Sequence, residues 1–311
     1  MTGRPATIAV LMCTYRRDAV TAALAALGRL TAPAGTMLRI VVIDNDDTAA
    51  KAGIIAGVPS RWPVAYVHAP AGNISRARNA GLDRADRMSA AWVAFCDDDE
   101  IMPPDWIVAL HGAAGRADVV IGPVRAIYPP GAPPWMVTLD THGTPARLRA
   151  AATLQTGHTC NALLRWSGTP WQRLRFDEAL GRSGGEDTAF FFAVSRRGGT
   201  FVTSPAACVT EAVDPGRLSV RWLLKRRFRM GQSFAMGQPA GARRLALAMT
   251  ASAKAMACAA GAIATLPWTH RRMFWVLRAA LHLGVVAGCL RLPQPTLYGS
   301  TAVPPIGRAL P

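Results

Sequence analysis

Four short apolar runs mark the first third of the chain: residues 7–13, 38–43, 64–67 and 91–96. Their length and their Val, Ile and aromatic content predict buried strands. Between them, residues 18–30 carry Val20, Leu24 and Leu27 on one face and predict a helix, which Pro33 and Gly35 close. Residues 75–88 predict a second helix. Further strands are predicted over 118–122 and 159–166, and a helix over 188–196 behind Gly184-Gly185-Glu186-Asp187. Strands alternating with helices in this way predict a parallel, doubly wound α/β sheet. The Pro-rich stretch 128–135 reads as an irregular loop and a candidate mobile lid.

From about residue 217 the pattern changes. Residues 217–236 read as a basic amphipathic helix. Residues 245–266 form an Ala-rich apolar run broken only by Lys254, and residues 273–290 one interrupted by Arg278 and His282, which share a helical face. A membrane-spanning helix needs about 20 strongly apolar residues. These two runs are weakly apolar and suit a helical hairpin lying in a membrane interface, with spanning helices and soluble helices packed on the domain as the alternatives. Two regions are therefore expected: a soluble domain over 1–215 and a helical, membrane-associating extension over 216–311.

Charge sharpens that division. The 311 residues carry a net charge of +16, but residues 1–214 hold 21 Lys and Arg against all 19 Asp and Glu. Residues 215–311 hold 14 Lys and Arg and no acidic side chain. Basic residues flanking apolar helices fit an anionic membrane surface better than nucleic acid, which would be met by a polar basic face. No signal peptide is visible. The six cysteines are scattered, with no CxxC pair, and read as reduced thiols of a cytoplasmic protein.

The candidate chemistry lies where the strands end. The first is followed by Thr14-Tyr15, the second by Asp44-Asn45 and the fourth by Asp97-Asp98-Asp99-Glu100. In doubly wound sheets ligands bind beyond the carboxyl ends of the strands. Consecutive aspartates repel one another and resist burial, so a strand ending in them calls for a cation or for solvent. Hard oxygen ligands suit Mg²⁺ or Mn²⁺ carrying a diphosphate.

Several stretches in this order resemble family 2 glycosyltransferases of the GT-A fold. They are Cys13-Thr14-Tyr15-Arg16-Arg17, Ile43-Asp44-Asn45, the segment from Gly72 to Gly81 containing Arg78-Asn79, Asp97-Asp98-Asp99 at the DxD motif and Glu186-Asp187 at the ED motif. The resemblance covers roughly residues 6–215. The segment from Glu211 to Gly231 is similar to bacterial exopolysaccharide glycosyltransferases of the succinoglycan type. What the resemblance implies is a Rossmann-like, mixed but mostly parallel sheet and transfer of a sugar, with inversion, from a nucleotide sugar, a UDP-sugar above all, to an acceptor hydroxyl. It implies Asp99 and Asp97 as metal ligands, with Asp97 alternatively reaching the ribose. It implies Thr14, Tyr15, Asp44, Arg78, Asn79, Asp97 and Asp98 around the nucleotide sugar. Asp98 has a structural alternative, since it would point to the other face of its strand. Asp187 is the implied catalytic base and Glu186, Gly157 and Asn161 the acceptor contacts. Arg217, Arg226 and Arg229 would bind the departing diphosphate or, alternatively, face a membrane.

Arg221-Trp222 lacks the Gln of the QxxRW motif of processive synthases, since Leu218 stands there, which favours single additions. The expected acceptor is a lipid-linked saccharide at the inner face of the cytoplasmic membrane. Two alternatives remain at this point. A nucleotidyltransferase shares the sheet and acidic ligands but usually has a Gly-rich loop after its first strand, absent here. A non-catalytic, membrane-docked binding protein would have no need of intact acidic motifs.

Overall fold

The computed structural model describes residues 5–145 and 156–294. The last part of the expected tail, 295–311, lies outside the described residues. Four parallel strands open the fold: β1 (Ala6–Thr14), β2 (Thr36–Asp44), β3 (Val64–His68) and β4 (Trp92–Asp97). With β6 (Val119–Ile121), β8 (Asn161–Arg165) and β9 (Phe201–Thr203) they form a seven-stranded sheet in the order β3-β2-β1-β4-β8-β6-β9. β8 runs antiparallel to both its neighbours, which makes the sheet mixed.

Period-2 alternation gives the central strands two buried faces. On β1, Ile8, Val10 and Met12 pack with Leu24 and Leu27 of α1 (Val20–Leu27) and with Trp106 and Leu110 of α4 (Trp106–Ala114). Ala9 and Leu11 face the opposite layer, with Leu82 and Ala85 of α3 (Ile74–Arg87) and Phe190, Phe191 and Val194 of α6 (Glu186–Arg196). Gly81 lets α3 lie close on the sheet, because a Cβ there would already stand 3.1 Å from Leu11 and Ile43. The helix α4 is absent from the sequence expectations. Its run is apolar nearly throughout and carries little 3.6-residue contrast against a buried strand.

A second sheet joins β5 (Glu100–Ile101), β10 (Val209–Ala212) and β7 (Val124–Ile127). The Pro-rich stretch is irregular over 128–133, as expected, but its last two residues enter a packed helix. Pro134 opens α5 (Pro134–Thr138), where a missing N–H costs nothing, and Met136 is buried against Leu223 and Leu277.

The C-terminal region forms α7 (Val220–Met236), α8 (Ala242–Ala264) and α9 (Thr269–Cys289). Glycines draw α7 and α9 together. A Cβ at Gly231 would strike the backbone of Leu281, and one at Gly284 that of Phe228. On α8, Leu245, Met249, Met256 and Ile263 share a helical face and are each at least 66% exposed. By length and composition, α8 and α9 are each long and apolar enough to cross a membrane.

Candidate active site

The sheet register gathers the predicted motifs. Thr14 pairs with Asp44, and Cys13 with Asp97, so three strand ends share one edge. Asp44 is fully buried and accepts from the Tyr66 hydroxyl (2.7 Å) and from Asp46 N (3.0 Å). Thr14 is also buried. Arg16 turns the chain with φ 52° and lays its guanidinium 5.0 Å from the Tyr15 ring centroid. Asn45 Oδ1 accepts from Asn73 N (3.4 Å), and Asn73 in turn caps α3 by accepting from Arg76 N (3.2 Å). That cap orients the helix carrying Arg78.

At the end of β4 the carboxylates crowd. Asp98 is 5% exposed and Glu100 fully buried, with Glu100 Oε2 accepting from Asp97 N (2.9 Å). Burial pushes the Asp97 carboxyl up to about 7; Arg78 opposes this, and the charges of Asp99, Asp98 and Glu211 add to it. Burial likewise raises Glu100 well above the ordinary range, with Asp97 adding to it. Arg17 Nη1 donates to Asp98 Oδ1 (3.3 Å) and to Asp99 Oδ2. Arg217 Nη2 lies 3.9 Å from Asp99 Oδ2 while its Nη1 donates to Glu211 Oε1 (2.7 Å). Among the described residues, Asp98 Oδ2 and Glu100 Oε1 are buried without a hydrogen-bond partner.

This donor set fits a hard divalent cation. It is all oxygen, its charges repel, and two guanidinium groups are already drawn to Asp99. Among the described residues no three Asp, Glu, His or Cys side chains form a ready metal cage. Mg²⁺ in particular is usually held by one or two carboxylates, with water and substrate phosphates completing its shell.

Opposite this cluster, Gly184-Gly185 turns into α6. Glu186 is buried and accepts from Arg78 Nη1, whose guanidinium also stands 5.5 Å over Phe176. Burial raises the Glu186 carboxyl although Arg78 opposes it. Asp187 is half-buried in the first turn, where the exposed N–H groups favour negative charge; its Oδ1 accepts from Thr188 N (2.6 Å).

Several predicted residues lie elsewhere than expected. Asn79 commits its amide to the Phe176 backbone, donating to the carbonyl (3.0 Å) and accepting from the N–H (2.7 Å), so it braces a loop and does not reach a nucleotide. Asn161 is fully buried: it accepts from Trp106 Nε1 (2.9 Å) and donates to Pro123 O and Ala207 O, leaving nothing for an acceptor. Gly157 packs its backbone on Ile121 and Phe191. Glu186 gives Oε1 to Arg78, while its Oε2 is buried without a hydrogen-bond partner among the described residues. Arg226 lies over Trp222 (5.3 Å) while its charge bears on Glu211, and Arg229 Nη1 donates to Ser183 O (2.8 Å) beside the Gly184-Gly185 turn. Arg217 does sit beside Asp99.

Arg17 and Glu100 carry no expected role in the sequence pattern, yet both sit in the acidic cluster. The signal for Arg17 was its place directly after the first strand, facing an acidic neighbour strand. His142 had no local signal: it stacks on Trp222 (5.3 Å) from 80 residues away in the chain.

With this geometry in view, residues 9–167 match the model of the glycosyl transferase family 2. The chain is 40% identical over 299 residues to the succinoglycan biosynthesis protein ExoM of Rhizobium meliloti, covering 94% of this chain and 96% of that protein. It is similar in structure to the mannosyltransferase PcManGT from Pyrobaculum calidifontis, solved with GDP-Man and Mn²⁺ (TM-score 0.57, 18% identity, 92% of this chain and 88% of that one). It is also similar to residues 1–349 of S. aureus TarS, solved with UDP-GlcNAc (TM-score 0.53, 16% identity, 74% of this chain and 66% of that one). The fold is GT-A. The chain belongs to glycosyl transferase family 2 and is a glycosyltransferase, which sets aside the nucleotidyltransferase and the non-catalytic binding protein.

Proposed function

We infer that this enzyme moves a sugar from a nucleoside diphosphate sugar to a saccharide hydroxyl, with inversion at the anomeric carbon. One observation carries the reading: Arg78 pairs with Glu186 beside the candidate base while its charge bears on Asp97 in the acidic cluster. The two motifs therefore belong to one site.

Thr14, Tyr15 and Asp44 would line the nucleoside pocket, with uracil the expected base. Asp97 and Asp99 would hold Mg²⁺ or Mn²⁺. That cation, when bound, offsets the charge building on the departing diphosphate. Asp187 would accept the proton of the acceptor hydroxyl, whose oxygen attacks the anomeric carbon from the face opposite the diphosphate. A new C–O bond forms there. The bond to the phosphate oxygen breaks, and its electron pair leaves with the nucleoside diphosphate. Arg217, close to Asp99, would meet the growing negative charge.

The acceptor we infer is a lipid-linked saccharide; the setting in exopolysaccharide synthesis is supported by the name of the Rhizobium meliloti relative. The exposed apolar face of α8 and the absence of acidic side chains after Asp214 support seating on the inner face of an anionic cytoplasmic membrane.

The test is release of nucleoside diphosphate from UDP-, GDP- and dTDP-sugars with membrane extract as acceptor source. Release from one donor, dependent on added Mg²⁺ or Mn²⁺ and lost in Asp99→Ala, is the expected result. Undiminished turnover in chelator, or in Asp99→Ala, would remove the metal assignment.

A further inference from the structure

The turn that delivers Glu186 and Asp187 is moulded against α7. Gly184 and Gly185 both take left-handed backbone, φ 82° and 89°, a conformation that side chains resist. No side chain caps α6 at Gly185. What fixes this turn is packing from outside. A Cβ on Gly184 would lie less than 3.0 Å from Arg229 Nη1, and one on Gly185 as close to the Ser233 hydroxyl. Arg229 and Ser233 are four apart and so share one face of α7. Arg229 Nη1 closes the fit by donating to Ser183 O (2.8 Å). Further along, Phe192 of α6 meets Phe234 (5.9 Å between centroids), and Arg196 Nη1 donates to Gly237 O (3.1 Å) at the end of α7. The two helices are therefore pinned at both ends of their contact.

We propose that Arg229 is a positioning residue for the transfer reaction: through the Ser183 carbonyl it holds the Gly184-Gly185 turn that aims Asp187. This rests on the reading of Asp187 as base. It assigns the first helix of the basic C-terminal region to the catalytic apparatus, and it replaces diphosphate binding as the role of Arg229. Aim matters because a displacement of about 1 Å at a reacting group can cost on the order of 10²-fold in rate.

The experiment compares wild type, Arg229→Ala, Arg229→Lys, Asp187→Asn and the double variant R229A/D187N in the full chain. It reads kcat for sugar transfer and, by calorimetry, the Kd of the nucleoside diphosphate sugar. Arg229→Ala should lower kcat on the order of 10²-fold with the donor Kd unchanged. Arg229→Lys, keeping one donor on a similar stem, should recover part of the loss. In the double variant the R229A loss should vanish, since a misaimed base that is already absent costs nothing more. A donor Kd weakened tenfold in Arg229→Ala would make the residue a phosphate ligand and overturn the proposal. So would full additivity in the double variant, or wild-type kcat in Arg229→Ala beside a collapsed kcat in Asp187→Asn. Wild-type kcat in Asp187→Asn removes the base reading itself, independently of Arg229. Should Arg229→Ala not fold, Arg229→Lys with and without Asp187→Asn carries the same cycle.

Discussion

Arg78 Nη1 donates to Glu186 Oε1 across 108 residues of sequence, and both side chains are about nine-tenths buried. The pair ties α3, whose N-terminal Asn73 is bonded to Asn45 beyond β2, to the first turn of α6. Removing one partner strands a buried charge. Glu186→Ala should cost about 3–5 kcal/mol of stability, read as a lowered urea midpoint. The apolar double variant Arg78→Met/Glu186→Leu should recover much of that stability without recovering activity.

Arg17 holds the position that a metal ion would contest. Its guanidinium pairs with Asp98 and with Oδ2 of Asp99, so a cation at the proposed site would compete with it. A competent state that is only partly populated weakens apparent affinity by that fraction. Arg17→Gln should therefore bind Mn²⁺ several-fold more tightly in titration calorimetry without nucleotide. Unchanged or weaker binding would mean that Arg17 does not compete for the site.

The contact of α7 with α9 depends on the absence of side chains. Gly284→Ala drives a methyl group into the Phe228 backbone, where no rotamer change gives relief. Overpacking of this kind costs typically about 1–3 kcal/mol. Thermal unfolding should show the loss, while the same substitution at Gly53 in α2 (Ala52–Ala56), where a Cβ meets nothing, should leave the midpoint unmoved or slightly raised.

The outward face of α8 should carry membrane affinity. Replacing both Leu245 and Ile263 by Gln removes two side chains whose burial is worth about 1.5–3 kcal/mol each. Co-sedimentation with vesicles containing anionic lipid should fall at least tenfold, and wild-type binding should weaken as salt screens the basic residues. Equal sedimentation of the variant would assign that face to a different role.

Much of the sheet and its functional edge was legible in the sequence. The strand runs of β1, β2 and β4 end in polar clusters, and pairing in register does the rest. Helices α3 and α6 also fall within two residues of their predicted limits. What local pattern could not carry was long-range use of polar groups. Asn79 and Asn161 have residue types that bind ligands as readily as backbone, and only the chain brought beside them decides which. Phe176 claims Asn79, and Trp106 and Ala207 claim Asn161. The small sheet of β5, β7 and β10 was hidden because two- to four-residue strands leave too little periodicity to detect.

The most direct test of the account is a single-turnover measurement on Asp187→Asn with the donor that wild type uses. The substitution keeps size and hydrogen bonding but removes the proton acceptor. The account predicts donor binding within a few-fold of wild type and sugar transfer slowed at least 10²-fold, the lower range of general-base catalysis. Transfer at the wild-type rate with intact donor binding would show that another group takes the acceptor proton and would contradict the account.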